Sequence, residues 1–380
     1  MKKQTWCAAA LSLLLALPGG AMAQTVTLVG AETDYAATVT AVEVPASPRQ
    51  TAGENPLTGE AWDGPCRPVM VSYSLHQQAY PLIGAQDADW FFEMPTHKDG
   101  SMRGLALFMS ELPEAAGPVH SGRVAMLSLR EAFDAGIVCW GVREVNNITS
   151  VKKWIQEYRP AYRKGGRYQY PLVDLIDPTH QAHFDAAYEG TLTSWAKDGH
   201  QPMWSLLVNA RMTSEMATEE AVLRAYAFSD TGDLGSAPAQ KITLVHRPEK
   251  DELFSYVTTL DYDAGSGLYR YGREGVETVT DGAPMAYANV IVLRTNITWE
   301  GMDGAVIPLV GQGACEIFIG GTHQRGTWVR ASQEQATEKN SLDAPIVFFG
   351  EDGEELTLRR GRTFVSIVDN AQEIGVEAGA

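Results

Sequence analysis

The 380-residue sequence has few cysteines, a deficit of positive charge and almost no long apolar runs. Its four cysteines include no Cys-x-x-Cys pair, so neither a disulfide framework nor a zinc ribbon is indicated. The net charge of −17 argues against nucleic acid and anionic membrane surfaces as partners. The signatures of P-loop proteins, α/β hydrolases, zinc proteases and dinucleotide-binding folds are missing. We therefore expect no cofactor and no bound metal.

One apolar run stands near the amino terminus, at residues 8–17, behind Lys2 and Lys3 and ahead of Ala21 and Ala23. This pattern predicts a secretory signal peptide over residues 1–23, cleaved after Ala23. The run is shorter than the roughly 20 residues that a membrane-spanning helix needs, and no second run follows. We expect an exported protein of the extracellular space or the cell envelope, without a transmembrane segment.

The rest of the chain has the composition of a folded protein. Hydrophobic residues make up 44% and charged residues 20% of the sequence, and the length favours two compact domains. Cys139 and Cys315 stand inside apolar runs and are predicted to be small buried side chains. A single disulfide among Cys66, Cys139 and Cys315 stays open as the alternative.

Hydrophobic patterning predicts an α+β fold, with an N-terminal mixed α/β domain and a C-terminal, mainly antiparallel β domain. The predicted N-terminal strands are 68–73, 105–109 and 137–140, and the predicted helices are 124–135, 150–158, 180–197 and 213–226. The predicted C-terminal strands are 241–246, 254–260, 268–271, 288–293, 315–319, 327–329, 346–349 and 363–368. The predicted units are an extension at 24–54 with one strand at 38–44, a domain at 55–228, a linker at 229–240, a domain at 241–370 and a tail at 371–380.

Nine short motifs follow one another along the chain. The first half carries NPLTG at 55–59, RPVMV at 67–71, RGLALF at 103–108 and GPVHSGR at 117–123. The second half carries LYR at 268–270, ANVIV at 288–292, GQG at 311–313, GTWVR at 326–330 and GRTFV at 361–365. This colinear series resembles the YerB-like lipoprotein family, a two-part bacterial family of unknown function. The resemblance implies an envelope protein with N- and C-terminal domains and no established reaction.

The chain departs from that family's pattern at several positions. His120 stands where the family usually has Arg, and Val208 replaces a His that precedes the equivalent of Asn209. A Gly-Gly-Ser stretch is replaced near Trp140. Cys7 precedes the apolar run instead of standing at the cleavage site, which departs from the lipidated relatives. These differences favour a scaffold or binding role over a shared reaction.

The segment 117–123 is predicted to turn into a helix, which makes it a candidate ligand site. Backbone N–H groups near Ser121, together with the guanidinium of Arg123, would suit an anion at a helix amino terminus. Arg103 opens a neighbouring strand, and we expect it to join them at a phosphate or carboxylate of wall polymer. The alternative is that Ser121 caps the helix and Arg123 forms a surface ion pair. A nucleophilic Ser121 beside His120 is disfavoured, because adjacent residues on a turn rarely reach each other and no carboxylate orients the histidine.

Two further stretches admit a functional interpretation. His180 and His183 lie one helical turn apart near Asp177 and Asp185, a spacing that would hold a divalent metal but also fits an ordinary helix start. Tyrosines alternate with basic residues over 158–170, which would suit a loop that contacts sugar or peptide, or simply a loop that covers a sheet edge.

The function that we expect is non-catalytic binding of wall polymer or of a partner protein at the cell envelope, with Arg103, Ser121 and Arg123 as the ligand contacts. The alternative is an envelope enzyme that acts on a phosphorylated or glycan substrate. In that case the arginines would hold charge, and Ser121, His120 or Glu93 would perform the chemistry.

Overall fold

The structure, a computed structural model, describes residues 26–29, 52–143, 145–158, 172–174, 206–217, 220–221, 223, 225–247, 256–273, 276–280, 282–330 and 345–379. The signal peptide, the strand predicted at 38–44 and the helix predicted at 180–197, with its histidines, lie outside the described residues. So does most of the tyrosine-rich stretch. Within the described ranges, no helix is both long enough and apolar enough to cross a membrane.

Strands dominate the described part of the chain, so the fold is largely β. The helices are α1 (Val124–Ala132), α2 (Val151–Tyr158) and α3 (Ala210–Glu215). The strands of the first half are β1 (Val26–Val29), β2 (Val69–Ser74), β3 (Trp90–Pro95), β4 (Met102–Phe108), β5 (Gly136–Cys139), β6 (Leu172–Asp174), β7 (Ala227–Ser229) and β8 (Ala237–Pro238). The strands of the second half are β9 (Lys241–Arg247), β10 (Tyr256–Asp263), β11 (Leu268–Arg273), β12 (Val276–Glu277), β13 (Val279–Thr280), β14 (Ala283–Pro284), β15 (Ala286–Tyr287), β16 (Asn289–Thr295), β17 (Thr298–Trp299), β18 (Ala305–Val306), β19 (Gly311–Ile319), β20 (Thr322–Arg330), β21 (Val347–Phe349), β22 (Thr357–Arg359), β23 (Thr363–Asp369) and β24 (Ile374–Glu377).

The larger sheet is mixed and has eleven strands. Ten of them follow the order β21-β20-β19-β16-β23-β3-β4-β2-β5-β6, and β8 lies beside β20. β16, β23 and β3 run parallel to one another, as do β2, β5 and β6, and β4 lies antiparallel between β3 and β2. The carboxyl ends of these six parallel strands therefore lie along one edge. β3 precedes the linker predicted at 229–240 and β23 follows it, so one hydrogen-bonded sheet spans both halves, while the domain bounds stay a prediction.

Both faces of this sheet are apolar and covered, as expected for strands that are buried on both sides. One face, which carries Trp90, Leu107 and Ile367, packs with Met126 of α1 and with Tyr226. The opposite face packs against a second sheet of seven strands, in the order β1-β24-β9-β10-β11-β12 with β15 beside β11.

Most of the predicted elements are confirmed, and the differences have physical causes. The predicted helix 213–226 is wrong: the helix runs over Ala210–Glu215, where the Asn209 side chain accepts from the N–H of Met212 and so caps it. Beyond it, the N–H of Ala221 donates to the carbonyl of Cys66 at 2.7 Å, so the backbone is held by the neighbouring segment. The range predicted as a tail contains β24, and the predicted extension contains β1, its antiparallel partner.

The three cysteines that follow the predicted signal peptide are buried. None of Cys66, Cys139 and Cys315 forms a disulfide in the described structure, as predicted for the two that stand in apolar runs. Burial raises the pKa of the Cys315 thiol well above its usual value, so it stays protonated. These side chains act as core residues, and the disulfide alternative is wrong for the described structure.

Candidate functional site

The segment 117–123 crosses the carboxyl edge of the large sheet between β2 and β5. The N–H of His120 donates to the carbonyl of Ser72 at 2.8 Å, and the N–H of Trp140 donates to the carbonyl of His120 at 3.0 Å. The N–H of Gly122 donates to the carbonyl of Gly141 at 2.9 Å. Main-chain bonds on both sides therefore fix the candidate residues above the ends of two parallel strands, where ligands bind in many open sheets.

Arg103 lies at the start of β4 on the same edge and is 7% exposed. Its Nη1 donates to the carbonyl of Met102 at 3.0 Å, and its Nη2 lies 3.2 Å from Nε2 of His120. Its Nε has no hydrogen-bond partner, and no carboxylate among the described residues lies within 4.0 Å of the guanidinium. Burial and the charge of Arg123 lower the pKa of Arg103 to about 9, so the group is still protonated at neutral pH but is poorly compensated.

His120 lies between Arg103 and Ser121. The backbone N–H of Ser121 donates to Nδ1 of His120 at 2.7 Å, and the Ser121 Oγ lies 3.2 Å from the same nitrogen. Burial, followed by the charges of Arg103 and Arg123, lowers the pKa of His120 well below its usual value, so the imidazole is neutral. A neutral imidazole accepts at one nitrogen only, so it can satisfy either the Ser121 N–H at Nδ1 or the Arg103 guanidinium at Nε2, and the other donor is left without an acceptor on His120.

Arg123 immediately precedes α1 and is its N-cap residue, without a side-chain capping bond. The interpretation of Ser121 as the cap is therefore wrong. Arg123 Nη1 donates to the carbonyl of Gly122 at 3.1 Å, and its Nε lacks a partner. Burial and the charge of Arg143 lower the pKa of Arg123, although Asp303 opposes them. Within the described ranges Arg123 makes no ion pair, contrary to the surface-pair alternative.

Two histidines, which the sequence did not single out, complete a group that we call the basic cluster: His76, His97, Arg103, His120 and Arg123. His76 follows β2 and His97 follows β3. Burial and the charge of Arg103 lower the pKa of both histidines. The structure thus brings the three predicted contacts to one place and adds imidazoles to them.

Two carboxylates border the basic cluster, and each already has an arginine partner. Asp303 pairs with Arg143, whose Nε also donates to Oγ1 of Thr149 at 2.8 Å. Asp99 pairs with Arg247 at 3.4 Å. These carboxylates therefore offset Arg143 and Arg247, and Arg103 has no anionic contact among the described residues.

Glu93, the carboxylate considered for the enzyme alternative, lies inside the protein between the two sheets. It is fully buried, and its Oε1 accepts from Thr258 Oγ1 at 2.7 Å and from Arg273 Nη1 at 3.1 Å. Nε2 of His246 lies 3.2 Å from the same oxygen. Burial alone would raise the pKa of Glu93, but these contacts outweigh it and the pKa is lowered. Glu93 joins the layers of the fold and does not contact the basic cluster.

The NPLTG motif at 55–59 is structural. The Asn55 side chain donates to the buried Asp89 at 3.0 Å and accepts from the N–H of Leu57 at 2.8 Å. The Trp90 indole donates to the carbonyl of Leu57 at 2.7 Å. The carbonyl of Thr58 accepts from the N–H of Gly361 at 2.8 Å. The motif therefore fastens the start of the first half to the end of the second.

Other predicted features stay apart from the cluster. Within the described ranges, no three His, Cys, Asp or Glu side chains come together as a metal site. The metal alternative at His180 and His183 lies outside these ranges. Val208 forms an isolated bridge with Ala116, and Asn209 caps α3, so both serve the local backbone.

Comparison with known proteins identifies the two halves as parts of one family. Residues 57–174 match the N-terminal domain of DUF3048, described as a protein of unknown function, and residues 252–365 match the C-terminal domain of the same family. The chain belongs to the DUF3048 family. It is 24% identical over 321 residues to the "Putative lipoprotein YerB" of Bacillus subtilis (strain 168), which covers 82% of this chain and 84% of the relative.

The fold is also similar to that of a solved protein. The crystal structure of YerB protein from Bacillus subtilis matches with a TM-score of 0.62 and 21% sequence identity, over 84% of this chain and 99% of that one. This likeness establishes a shared fold. What the basic cluster binds has to be argued from its own geometry.

His76 and His97 of the basic cluster could have been found from the strand pattern. His76 stands two residues after β2, and His97 stands two residues after β3. Polar residues directly after parallel strands lie at one edge of the sheet. The position of these histidines after a strand, and not a sequence motif, would therefore have identified them. It was missed because β3 itself was not predicted.

Proposed function

We propose that this DUF3048 protein is a non-catalytic binder of the cell envelope, whose basic cluster holds an anionic group of a wall polymer or of a partner protein. The observation that carries the proposal is Arg103, a buried guanidinium without a carboxylate contact among the described residues. Isolating a charge from water is unfavourable unless an opposite charge compensates it. A bound anion would supply that compensation.

The donor pattern supports the same conclusion. Arg103 Nη2 and the backbone N–H of Ser121 both approach ring nitrogens of His120, at 3.2 Å and 2.7 Å, and a neutral imidazole can accept from only one of these donors. An acceptor with several oxygen atoms, such as phosphate or carboxylate, would satisfy both together with the Nε of Arg123. The extended, planar donor set of two arginines suits such groups.

Two observations support a cellular location for the proposed binding protein: the relative is named a putative lipoprotein, and the sequence predicts a signal peptide. We propose that the protein acts outside the cytoplasm, in the envelope or the extracellular space. We also propose that residues 55–228 form an N-terminal mixed α/β unit, because β2, β5 and β6 are parallel and α1 packs on them.

The enzyme alternative receives less support from the same geometry. A general base works best when its pKa lies near the working pH, whereas His120 is held neutral far below that range. Its Nε2 lies beside Arg103 instead of an orienting carboxylate, and a positive neighbour disfavours the imidazolium that proton transfer would create. Glu93 forms a buried ion pair with Arg273, so it does not act as the general base either.

Isothermal titration of the full chain with sulfate and with phosphate tests the binding proposal. We expect both anions to bind the wild-type protein, and Arg103→Gln to weaken them about 10- to 100-fold, because one buried charge-assisted contact is lost. The matched control is Arg270→Gln, which removes an exposed arginine that pairs with Asp263 and should leave affinity unchanged. Failure of the wild type to bind either anion, or equal affinity in Arg103→Gln, contradicts the proposal.

A further inference from the structure

A second recess lies at the same edge of the sheet as the basic cluster. It is a partly open cavity of about 130 Å³, lined in part by His97, Lys98, Trp299, Asp369 and Gln372. Pockets for drug-sized ligands run to roughly 300–1,000 Å³, so this one suits a single small ring. Its position after β3, β16 and β23 continues the edge at which β2 and β5 carry the cluster.

One hairpin joins the cavity to the basic cluster. Trp299 lies in β17, which pairs with β18, and the turn between these strands carries Asp303. Asp303 pairs with Arg143 beside the cluster, while the carbonyl of Met302 accepts from the N–H of Lys98 at 2.7 Å. The hairpin therefore places the Trp299 indole at the cavity and the Asp303 carboxylate beside the basic cluster.

His97 belongs to both places. It lines the cavity, and it lies close enough to Arg103 and Arg123 for their charges to influence it. Thr96 Oγ1 donates to the carbonyl of Ser101 at 3.2 Å and lies 2.9 Å from Nδ1 of His97, so it accepts a hydrogen from that nitrogen. Nε2 is then left as an acceptor. A ligand that filled both recesses would pass this imidazole.

The cavity lining combines an aromatic face with groups that donate and accept hydrogen bonds. The Trp299 indole is half-buried, Lys98 is exposed at the rim, and the Asp369 carboxylate accepts from the N–H groups of Ile297 and Ala371. Buried Ile297 and Ile367 form an apolar base. A sugar ring has this dual character, because its C–H face packs on an indole while its hydroxyls need both donors and acceptors.

We propose that the cavity is a sugar-ring subsite, and that the ligand is a saccharide whose phosphate or carboxylate occupies the basic cluster. The inference rests on the proposed anion binding and narrows its ligand class. The ring would lie against Trp299, with its hydroxyls near Nε2 of His97 and the ammonium of Lys98, and its charged substituent would extend towards Arg103.

Three phosphate monoesters test the subsite by titration calorimetry: methyl phosphate, phenyl phosphate and glucose 1-phosphate. At about pH 8 all three carry two charges, because the second pKa of such esters lies at about 6. We expect glucose 1-phosphate to bind about tenfold more tightly than the other two. Phenyl phosphate supplies a ring without hydroxyls, so an equal gain with it would overturn the sugar assignment.

Variants at Trp299 separate the subsite from the anion site. Trp299→Ala should remove the tenfold advantage and leave methyl phosphate affinity unchanged, whereas Trp299→Phe, which keeps an aromatic face, should retain most of it. Arg103→Gln should weaken all three esters. An advantage that persists in Trp299→Ala, or no advantage in the wild type, overturns the subsite alone. Failure of the wild type to bind any of the esters overturns the proposed anion binding together with it.

Discussion

Arg103 and Arg273 are two buried arginines that differ in how far neighbouring groups compensate their positive charges. Arg273 is 9% exposed, pairs with Glu93 at 3.1 Å and lies over the Tyr256 ring, 4.9 Å from its centroid. Burial disfavours its charge, but neighbouring groups that include Glu93 outweigh burial, and its pKa is raised. Burial and the charge of Arg123 lower the pKa of Arg103 to about 9, and no carboxylate among the described residues pairs with it to oppose them. The pairing of a buried charge, more than its burial, distinguishes Arg273, which stabilises the fold, from Arg103, which we propose binds an anion.

The largest expected effect is at the paired arginine. Arg273→Gln leaves the carboxylate of Glu93 buried with weaker compensation, so we expect the free energy of unfolding to fall by about 3–5 kcal/mol. Urea unfolding of the full chain, followed by circular dichroism at neutral pH, measures it. The control, Arg270→Gln, changes an exposed arginine on the same strand and should leave the midpoint unchanged. A loss below about 1 kcal/mol would contradict the role of Arg273 as the main compensation of the Glu93 carboxylate.

The same substitution at Arg103 should affect stability far less in the absence of a ligand. Arg103→Gln leaves no orphaned carboxylate among the described residues, so we expect a change within about 1 kcal/mol. Sulfate at about 100 times its dissociation constant should then stabilise the wild type by about 2.7 kcal/mol and the variant much less. If sulfate stabilised the wild type and Arg103→Gln equally, Arg103 would not be an anion contact, and its proposed difference from Arg273 would be wrong.

The basic cluster should also bind anions more tightly as the pH falls. Burial and then Arg103 lower the pKa values of His76 and His97, and burial with both arginines lowers that of His120, so all three are neutral in the folded protein near pH 7. A bound anion favours their protonated forms, so binding takes up protons. Sulfate keeps its charge over this range, and its affinity should rise about three- to tenfold between about pH 7.5 and pH 5.5. A flat titration series would exclude the histidines from the site.

Without an anion, the same histidines should make stability fall over that interval. Their folded pKa values lie below the unfolded value of 6.5, so the unfolded chain binds protons that the folded chain refuses. The penalty is absent above pH 6.5 and grows as the pH falls through it. Urea unfolding with chloride as the only anion, repeated with sulfate, should show that sulfate reduces this slope. A slope that sulfate leaves unchanged would place the titrating groups elsewhere.

The smallest effect is expected at Ser121. Its Oγ contacts Nδ1 of His120, and its backbone N–H, which no side-chain change removes, makes the shorter bond. Ser121→Ala should therefore change sulfate affinity by no more than about twofold. A loss above tenfold, measured by calorimetry, would restore the hydroxyl to the group of ligand contacts and reopen the nucleophile hypothesis.

The sequence predicted the arginines of the basic cluster better than the strands and contacts that surround them. Arg103 and Arg123 were identifiable because each belongs to a motif beside a strand or helix boundary. β3 was missed because Trp90, Phe91 and Phe92 are buried on both faces, so the strand shows no alternation of polar and apolar residues. Without β3, His97 could not be recognised as a residue that follows a strand. That no described carboxylate pairs with Arg103 depends on contacts between distant segments, which no local pattern contains.

The pairing of β3 with β23 also governs how the protein can be made. Trp90 lies opposite Thr363 and Glu93 opposite Ser366, so the paired residues are 273 positions apart in the sequence. A ribosome or a secretion channel that delivers the first half alone therefore releases β3 with one unpaired, strongly apolar edge, a template for aggregation. The sheet closes only when the last segment arrives. Its synthesis thus favours late, whole-chain folding, and expression of either half alone would leave an open sheet edge that an added charged or proline residue would have to protect.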